Sequence, residues 1–446
     1  MYRCMSSKKP HLNIIMTGHA DHGKSTLVGH LLFTTGAIDQ RTIDEFAKES
    51  EKLGRGDTFK FAWVLDKLKD ERERGITIDL AFQKFETQKY FFTLIDAPGH
   101  RDFIKNMITG ASEADCAVLL ISAKKGEMET AVDPGGQGRE HAFLLRTLGV
   151  KQLICCINKM DDQIVNYSKD RFDEVKAIVE NLLKGVGYNT SKMRFIPTSG
   201  WKGDNLGAKS ENMPWYDGPT LVQALDEFDE PEKPIEKPLR LPVQDVYTIT
   251  GIGTVPVGRI ETGQMKPNDK IVVMPEGTTG EIKTIETHHT QLPQALAGDN
   301  VGFNVKGIDK KGIKRGDVIG PASDPPTAAK EFKAQIIVIF HPTALAPGYT
   351  PVLHAHTAQV AATLSEFLAK IDPRNGQTIE ENPKFLKNGD SAIVKIRPVR
   401  PLCIETFKEY PELGRFALRD MGTTIAAGVV QEVTEKFTKE KSNPKS

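Results

Sequence analysis

The sequence predicts an α/β domain with a doubly wound, mainly parallel sheet, followed by two antiparallel β-barrel domains. In the first half, short apolar runs alternate with amphipathic segments, which is the pattern of strands and crossover helices. A linker rich in proline and charge ends this pattern. Beyond it, short β-branched runs are broken by Gly, Pro and Asp at close spacing, as in small barrels. The length of 446 residues accommodates three domains.

The α/β prediction depends on the order of the runs. Apolar runs long enough for buried strands cover residues 12–17, 78–85, 91–95, 117–122, 153–157 and 195–198. Amphipathic segments with helical spacing cover residues 103–109, 139–148, 171–183 and 221–228. Because strands and helices alternate, we expect most neighbouring strands to be parallel, with helices on both faces of the sheet.

Two proline-rich breaks divide the chain into three predicted domains. Residues 230–238 carry three prolines among charged residues, which disfavours a helix and favours an extended linker. A second break at 324–327 contains two adjacent prolines. Short β-rich runs follow each break, at 270–274, 281–285 and 300–305 and then at 332–339, 351–360, 391–396 and 424–433. We therefore predict an α/β domain at 1–229, a first barrel at 239–325 and a second barrel at 328–437.

Composition excludes several broad classes of protein. Lys+Arg and Asp+Glu both number 59, so the formal net charge is zero and any nucleic-acid contact must come from local patches. No apolar stretch approaches the ~18 residues that span a bilayer, and no hydrophobic leader is visible at the start, so a cytoplasmic protein without a membrane partner is expected. The five cysteines show no CxxC spacing and are predicted to be free thiols.

A phosphate-binding loop follows the first predicted strand. Its glycines let backbone N–H groups turn toward phosphate oxygens, Lys24 supplies a cation for the β and γ phosphates, and the Ser25 hydroxyl can ligate Mg²⁺. A chance match to this pattern is possible, but a strand before it and a helix after it are the context that the motif requires. The predicted phosphate-binding residues are Gly18, His19, Ala20, Asp21, His22, Gly23, Lys24, Ser25 and Thr26.

A second element of the site is predicted where the strand 91–95 ends. Asp96 at the strand tip can hold the water shell of a metal ion, and Gly99 can offer a backbone N–H to a γ-phosphate. Alone, a strand ending in Asp and a Pro-Gly turn is as well explained by a simple turn. Together with the phosphate loop, it indicates a nucleotide-sensing switch.

Residues after the next two strands predict which base is bound. The Asp161 carboxylate can accept two hydrogen bonds from guanine, whereas adenine lacks this pair of donors. Asn158 and the aliphatic stem of Lys159 can shape and cover the base, and Ser199, Gly200 and Trp201 follow the last strand, where a backbone N–H can reach the guanine carbonyl. Four elements in the correct order at successive strand ends favour GTP over ATP.

The charged stretch 70–77 lies between the phosphate loop and Asp96. It can be interpreted as a solvated helix and turn. The alternative is that Thr77 is a switch threonine, whose hydroxyl and backbone sense Mg²⁺ and the γ-phosphate. We favour this second interpretation because an effector loop is expected here, which makes Ser25, Thr77 and Asp96 the predicted metal-binding set, with Asp96 acting through water.

With these motifs in place, the sequence resembles the archaeal-type elongation factor 1-alpha family of translational GTPases, which belongs with elongation factor Tu. The resemblance extends from His11 to about residue 437. His22 in the phosphate loop matches the archaeal form, since a serine is usual in the eukaryotic one. The motifs that carry the resemblance are RERGITID at 72–79, DAPGHRDF at 96–103, KNMITG at 105–110, GDNL at 203–206, GTVPVGR at 253–259, GDNVGF at 298–303 and GRFA at 414–417.

The resemblance implies catalytic roles for His100, Lys24 and Thr77. His100 matches the histidine that orients the attacking water, although a histidine beside a Gly turn is by itself more often solvated or structural. The family keeps this histidine back with an apolar gate, of which Ile76 matches one side. The other side is usually valine, and this sequence has Ala20. We therefore expect a looser gate, and Ala20→Val should lower GTP hydrolysis measured without ribosomes.

The resemblance also places tRNA contacts in both barrels. Glu286, His288 and Asn300 match positions around the pocket for the terminal adenosine and its esterified amino acid, but they could equally be an exposed strand face and a turn residue. In the second barrel a phosphate-backbone patch is plausible, although a solvated face explains it almost as well. The residues of that patch are Lys395, Arg397, Arg415 and Arg419.

The expected function is GTP-dependent delivery of aminoacyl-tRNA to the ribosomal A site, with hydrolysis to GDP and phosphate on codon recognition. GTP and Mg²⁺ are expected to order the switch segments and dock the barrels on the first domain, and the resemblance implies a separate guanine-nucleotide exchange factor. Three alternatives stay open: a carrier of release or ribosome-rescue factors, possibly in addition, the GTPase subunit of sulfate activation, and a GTP-dependent scaffold with vestigial hydrolysis.

Overall fold

The computed structural model describes residues 9–52, 60–65, 80–100, 103–133, 135–287, 290–372 and 377–438. The chain divides into two compact units, Met1–Pro231 and Glu232–Ser446. The predicted fold class is confirmed, with a mainly parallel sheet in the first unit and antiparallel β structure in the second. Both predicted barrels lie in the second unit, so the boundary between them at 325–328 stays a prediction. No helix in these described ranges is long and apolar enough to cross a membrane.

The first unit alternates strands and helices. In chain order its elements are β1 His11–Gly18, α1 Lys24–Thr34, α2 Gln40–Lys52, β2 Ala81–Glu86, β3 Phe91–Asp96, α3 Ile104–Glu113, β4 Cys116–Ser122, α4 Glu127–Val132, α5 Gln137–Thr147, β5 Gln152–Asn158, α6 Lys169–Val186, β6 Arg194–Pro197 and α7 Leu221–Leu225. The predicted strands appear within a few residues of these bounds. Helices α2 and α4 were not predicted, because α2 is mostly polar and α4 has only six residues.

The strands form one six-stranded sheet in the order β2-β3-β1-β4-β5-β6. All neighbouring pairs are parallel except β2 and β3, which are antiparallel at one edge. Every residue of β4 is buried, as is every residue of β1 after His11, because helices cover both faces of the sheet. This burial explains why the central strands read as continuous apolar runs rather than alternating ones.

The carboxyl ends of four adjacent strands meet at one edge of this sheet. Parallel register pairs Met16 with Asp96 and Ser122 with Asn158, and Gly18 ends β1 beside β4. Open α/β sheets bind ligands at this edge, because the loops that follow the strands gather there. The predicted phosphate, metal and base motifs are therefore brought together by the topology alone.

The second unit consists of short strands. In chain order they are β7 Leu241–Ile249, β8 Gly253–Arg259, β9 Gln264–Met265, β10 Lys270–Met274, β11 Thr278–Thr287, β12 Thr290–Leu292, β13 Ala295–Leu296, β14 Asn300–Lys306, β15 Val318–Pro321, β16 Ala328–Val338, β17 Val352–Ala355, β18 Ala358–Ile371, β19 Thr378–Glu381, β20 Ser391–Pro398, β21 Leu402–Cys403, β22 Arg415–Asp420 and β23 Thr423–Lys436.

Two antiparallel rings are formed by these strands. In the first ring the pairing order β10-β15-β7-β8-β14-β11 is closed by hydrogen bonds between β11 and β10. In the second ring the order β17-β22-β23-β16-β20-β18 is closed by pairing of β18 with β17. Each ring encloses its own apolar core. Closure satisfies the strand edges that an open sheet would expose.

The apolar run at 351–360 is a hairpin rather than one strand. β17 and β18 are joined by a tight turn in which His356 adopts a positive φ of 42°. The His356 Nε2 donates to the Cys403 carbonyl at 2.9 Å. Burial lowers the pKa of His356 to about 4, so this imidazole is neutral at physiological pH.

A buried ionic group joins the two ends of the first ring to the second ring. Arg240 is 3% exposed and donates from Nε to the Glu405 carboxylate at 3.2 Å. Its Nη1 donates to the Asp324 carbonyl at 3.0 Å, and its guanidinium lies 4.9 Å from the Tyr410 ring centre. The same Glu405 oxygen accepts from the Thr327 N–H at 2.9 Å. The charge is thus paired and hydrogen-bonded on several sides, as burial of a guanidinium requires.

Candidate functional site

The phosphate loop connects β1 to the N-terminus of α1. Asp21 and Gly23 adopt positive φ values of 65° and 80°, which curl the loop before the helix begins at Lys24. A Cβ on Gly23 would lie 2.7 Å from the Asn158 Nδ2, so the close approach requires glycine. Ser25 and Thr26 follow in the first turn of α1. The helix N-terminus adds its backbone N–H groups and the positive end of the helix dipole, which favour an anion at this point.

Lys24 and Asp96 form the charged centre of the site. The Lys24 Nζ lies 3.6 Å from Asp96 Oδ1, and their side chains are 8% and 0% exposed. Asp96 ends β3 beside β1, as its register with Met16 requires. A buried carboxylate near the N-terminus of the helix that carries Ser25 is the kind of oxygen ligand that a hard cation such as Mg²⁺ prefers. Thr77, the third predicted metal ligand, lies outside the described residues.

Gly99 packs directly on the phosphate loop. A Cβ at this position would lie 2.8 Å from the Gly18 carbonyl oxygen and 3.1 Å from the Ala20 nitrogen. Any larger residue would push the loop and the segment after β3 apart. The backbone of Gly99 is therefore held against the phosphate loop, and its contact with a γ-phosphate stays a prediction.

His22 is buried in the loop as a neutral imidazole. Its Nδ1 accepts a hydrogen bond from the Ser122 N–H at 3.1 Å, and its Nε2 lies 3.3 Å from the Glu127 carbonyl oxygen. The Leu120 carbonyl oxygen also lies 3.2 Å from Nδ1, but the Ser122 N–H can only donate, so Nδ1 accepts and Nε2 carries the proton of the neutral ring. Burial lowers the pKa of His22 to about 4, although the carbonyl contacts oppose this change. His22 therefore anchors the loop to the end of β4 without adding a charge.

Asn158 joins the phosphate loop to the base turn. Its amide Nδ2 donates to the His22 carbonyl at 2.8 Å. Its Oδ1 accepts from the Gly200 N–H at 2.8 Å and from the Thr198 hydroxyl at 3.2 Å. The side chain is only 2% exposed, so water does not replace these partners. One asparagine thus fixes three segments of chain relative to one another.

Glu127 is a site residue that the sequence analysis did not identify. Its carboxylate binds the Lys159 Nζ at 2.8 Å, and Lys124 lies 3.4 Å away. Burial alone would raise the pKa of Glu127, but hydrogen bonds from Lys159 and Ser122 and the nearby positive charges lower it overall. Glu127 therefore holds the lysine whose stem is predicted to cover the base. Its place just beyond β4, at the carboxyl edge of the sheet, is the signal that could have identified it.

The turn 199–203 follows β6 and carries the remaining base residues. The Ser199 hydroxyl accepts from the Lys202 N–H at 2.9 Å, and the Ser199 carbonyl accepts from the Gly203 N–H at 2.8 Å. The Gly200 N–H donates to Asn158, while the Trp201 N–H has no partner in the described parts of the chain. The Trp201 ring is 37% exposed, and the Lys202 Nζ lies 3.8 Å from its centre.

Asp161 and His100 lie in the loops that follow β5 and β3. Asp161 lies in the loop after β5 and is partly exposed. Lys159 in the same loop has a positive φ of 63°, which turns the chain between Asn158 and Asp161. His100 is partly exposed, follows Gly99 directly, and its ring centre lies 6.0 Å from that of Phe103. Ile76, the predicted partner of Ala20 in the apolar gate, lies outside the described residues.

The predicted aminoacyl pocket corresponds to one outward face of the first ring. Glu286 on β11 pairs with Gly302 on β14, and Asn300 lies two residues along β14 on the same face. Gly302 has no side chain, and a Cβ there would lie 3.3 Å from the Val257 Cγ1 and 3.7 Å from the Val255 Cγ1, so these valines cover the strand between Glu286 and Asn300. Val257 and Arg259 on β8 pair with Gly302 and Asn300. His288 lies outside the described residues.

The four basic residues of the second ring occupy different environments. Lys395 binds Glu366 at 2.5 Å and Arg397 binds Glu331 at 2.7 Å, and the Glu366 hydrogen bond raises the pKa of Lys395. Arg415 is partly exposed, and its guanidinium lies 5.0 Å from the ring centre of Phe407.

Arg419 differs from the other three basic residues, because only 4% of it is exposed. Its Nη2 donates to the Gly422 carbonyl at 2.7 Å, which holds the turn between β22 and β23. In this conformation the guanidinium stabilises its own hairpin. We therefore leave Arg419 out of the tRNA surface proposed below.

Family comparisons cover almost the whole described chain. The model of the elongation factor Tu GTP binding domain matches residues 9–231. Elongation factor Tu domain 2 matches residues 253–320, and the GTP-eEF1A C-terminal domain-like family matches residues 331–431. An elongation factor 1-alpha from Cenarchaeum symbiosum strain A is 70% identical over 96% of this chain and 98% of its own. One from Desulfurococcus mucosus is 59% identical over 96% of this chain and 97% of its own.

The chain belongs to the elongation factor 1-alpha family. It is accordingly a GTPase of translation elongation, and its relatives fit the archaeal type that the sequence predicts. Among solved structures, the Saccharomyces cerevisiae Ski7 GTPase-like domain, bound to GDP and inorganic phosphate, has a TM-score of 0.78 at 20% identity, covering 95% of this chain and 97% of that one. At that identity the likeness shows the fold alone.

Proposed function

We propose that this chain delivers aminoacyl-tRNA to the ribosomal A site and hydrolyses GTP to GDP and phosphate on codon recognition. The observation that carries the proposal is the Asn158 network, which joins a phosphate loop to a turn suited to guanine within a member of the elongation factor 1-alpha family. Such a network makes the base and the phosphates parts of one site, so nucleotide identity and hydrolysis state are sensed together.

Different residues of the site have different roles in GTP hydrolysis. Water attacks the γ-phosphorus, the bond to the β–γ bridging oxygen breaks, and GDP leaves with that oxygen. Lys24 and the loop N–H groups stabilise the charge that develops on the phosphate oxygens, and His100 orients the water. Ser25, Thr77 and Asp96 would hold Mg²⁺, with Asp96 acting through water, and this ion would neutralise charge on the β and γ phosphates.

Guanine selection follows from groups that face the base. Asp161 accepts from the ring N–H and the exocyclic amine of guanine, while the turn 199–203 donates to its carbonyl. Asp161→Asn should exchange this preference for xanthine, because the amide can donate to the carbonyl that xanthine carries in place of the amine. The variant should then require XTP where the parent chain requires GTP, which tests the site independently of the partner.

The tRNA surface is proposed on the second unit. The strand face that carries Glu286, Asn300 and Gly302, together with His288, would receive the terminal adenosine and its amino acid. Lys395, Arg397 and Arg415 would contact tRNA phosphates. We also propose a cytoplasmic location and a separate guanine-nucleotide exchange factor. The elongation-factor relatives do not favour the alternative of a carrier of release or rescue factors.

The deciding experiment measures binding of aminoacylated and deacylated tRNA to the full chain, with a GTP analogue and with GDP. Tight binding of the charged tRNA with the GTP analogue alone is expected, since the proposal makes the nucleotide control the tRNA site. Equal binding of both tRNAs, or equal binding with both nucleotides, would contradict a delivery function. The Asp161→Asn variant supplies the control, because its tRNA binding should follow an XTP analogue.

The looser apolar gate is a separate proposal. The Ala20 backbone lies within the loop that contacts Gly99, one residue before His100. Valine at position 20 would add two methyl groups between the loop and the histidine. We expect Ala20→Val to slow ribosome-free GTP hydrolysis several-fold without changing GDP affinity. An unchanged hydrolysis rate would rule out the gate.

A further inference from the structure

His30 lies on α1, two turns beyond the phosphate loop, and contacts the turn 199–203. Its Nδ1 lies 2.9 Å from the Gly200 carbonyl oxygen. Because a carbonyl only accepts, Nδ1 donates this hydrogen bond. Gly203 passes so close that a Cβ there would lie 2.6 Å from the imidazole Cε1. Burial lowers the pKa of His30, although contacts with the Gly200 and Trp201 backbone oppose this change, and the Gly200 contact places the proton of the neutral ring on Nδ1.

The other face of His30 packs on a different segment. Its ring stacks on the Phe61 ring with centroids 4.2 Å apart and planes 7° apart. The neighbouring Gly29 allows this approach, since a Cβ there would lie 1.9 Å from the Phe61 carbonyl oxygen. Phe61, Trp63 and Leu65 are 6%, 1% and 2% exposed, so the segment 60–65 is seated on the apolar core. His30 therefore packs between the segment 60–65 and the turn 199–203.

The hydrogen bond to the Gly200 carbonyl also fixes the direction of the neighbouring Trp201 N–H. The Gly200 carbonyl and the Trp201 N–H belong to one planar trans peptide, so they point in opposite directions. Fixing the carbonyl toward His30 directs the Trp201 N–H away from α1. That N–H has no partner in the described parts of the chain, whereas the Gly200 N–H is held by Asn158. A hydrogen bond to the carbonyl also polarises the peptide and strengthens its N–H as a donor.

We propose that His30 is a positioning residue for guanine recognition: it holds the Gly200 carbonyl so that the Trp201 N–H faces the 6-carbonyl of the base, and its stack on Phe61 ties that orientation to the seating of segment 60–65. This inference rests on the proposed guanine site. Segment 60–65 lies in the stretch between the phosphate loop and Asp96, where effector segments are expected. A change in its seating would therefore reach the base through His30.

The test compares two nucleotides on the full chain. GDP carries the 6-carbonyl, and the diphosphate of 2-aminopurine riboside lacks it while keeping the 2-amino group. His30→Phe keeps an aromatic ring for Phe61 but removes the N–H donor. It should weaken GDP binding about tenfold, as expected for a well-aligned donor, and change binding of the analogue by less than about twofold. The ratio of the two affinities is the readout that a merely structural role would not move.

Two further variants separate the donor from the stack. His30→Asn places an amide N–H near the Nδ1 position and should restore most of the GDP preference. Phe61→Ala keeps the donor but unseats the stack, and should lower the preference about two- to threefold. Equal weakening of both nucleotides by His30→Phe, or no rescue by His30→Asn, would overturn the inference. Failure of the parent chain to prefer GDP would instead contradict the proposed guanine site, so the two outcomes are distinguishable.

Discussion

The guanine site and the outer face of the second ring use polar residues in opposite ways. Asn158 is 2% exposed and forms hydrogen bonds with His22, Thr198 and Gly200. Lys395 and Arg397 lie on a strand face, and their side chains are 36% and 62% exposed while paired with Glu366 and Glu331. The first arrangement is held by buried partners within the protein, whereas in the proposed tRNA complex the second would exchange carboxylates for phosphates.

This difference determines how mutations should behave. Substituting a residue of a buried network breaks its hydrogen bond and also leaves the partner group buried without a bond. Such a substitution is therefore strongly destabilising. An exposed pair is screened by salt and contributes little to stability, so its removal mainly changes ionic-strength dependence. The predictions below follow this contrast, from the buried centre of the first unit to the exposed face of the second.

Asn158→Ala is expected to have the largest effect. It removes the bonds to His22, Thr198 and Gly200 and leaves their polar groups buried without a partner. GDP binding should weaken by about 100-fold or more, which corresponds to roughly 3 kcal/mol. Equilibrium binding with a fluorescent GDP measures it. Asn181→Ala, on an exposed position of α6, is the matched control and should leave Kd unchanged.

His22→Ser should remove a pH-dependent loss of stability. The folded pKa is about 4, below the ordinary value of 6.5, so the unfolded chain binds more protons between these values and stability falls as pH falls through that window. The contribution between pH 7 and pH 5 is about 2 kcal/mol. Serine should abolish it.

Tryptophan fluorescence during urea unfolding can measure this effect on the first unit alone. All three tryptophans, Trp63, Trp201 and Trp215, lie in that unit. His11→Ser, a partly exposed histidine on the same sheet, should retain the parent pH dependence. An equal loss of stability at pH 5 in the parent chain and in His22→Ser would show that His22 does not couple protonation to folding.

Glu127→Gln should weaken the contact that holds Lys159, the residue predicted to cover the base, without removing it. The neutral amide keeps a hydrogen bond to Lys159 but loses the charge that holds it at 2.8 Å. We expect GDP to dissociate about three to ten times faster, with little change in unfolding. Stopped-flow release of labelled GDP measures this rate. Glu180→Gln removes an exposed pair with Lys184 on α6 and should leave the rate unchanged.

Glu366→Gln should have the smallest effect, and it should strengthen binding rather than weaken it. It frees Lys395 from its carboxylate, so charged tRNA should bind about two- to threefold more tightly at low salt. The plot of log Kd against log salt should become steeper by up to about one unit, because one more phosphate contact forms. Lys395→Ala should make the same plot shallower. If neither variant changed the slope, Lys395 would not contact tRNA phosphate.

The fold and the nucleotide motifs could be predicted because both depend on local patterns. Central strands such as β4 read as continuous apolar runs, and the loops after them meet at one edge whatever the details of packing. The phosphate loop needs glycine at position 23 and the segment after β3 needs glycine at position 99, because the chain approaches other atoms closely at both positions. Such requirements leave a direct trace in the sequence.

Other features depend on contacts that no local pattern encodes. Glu127 was missed because its role requires Lys159, which is distant in sequence and adjacent only across β4 and β5. The apolar run at 351–360 was read as one strand, although a turn at His356 divides it. Arg419 resembles a phosphate-binding residue in sequence, and only its burial distinguishes it from Arg415. Charge type can be read from a sequence, whereas pairing and exposure cannot.

The buried ion pair between Arg240 and Glu405 limits how the two rings can be exchanged during evolution. Its guanidinium belongs to the first ring, its carboxylate partner Glu405 to the second, and Asp324 to the segment that connects them. A recombination event that exchanged one ring alone would leave a charge buried without its partner, at a cost of several kcal/mol. Selection would remove most such hybrids before their activity mattered. The two rings are therefore expected to be inherited together as one unit, even though each ring closes its own sheet.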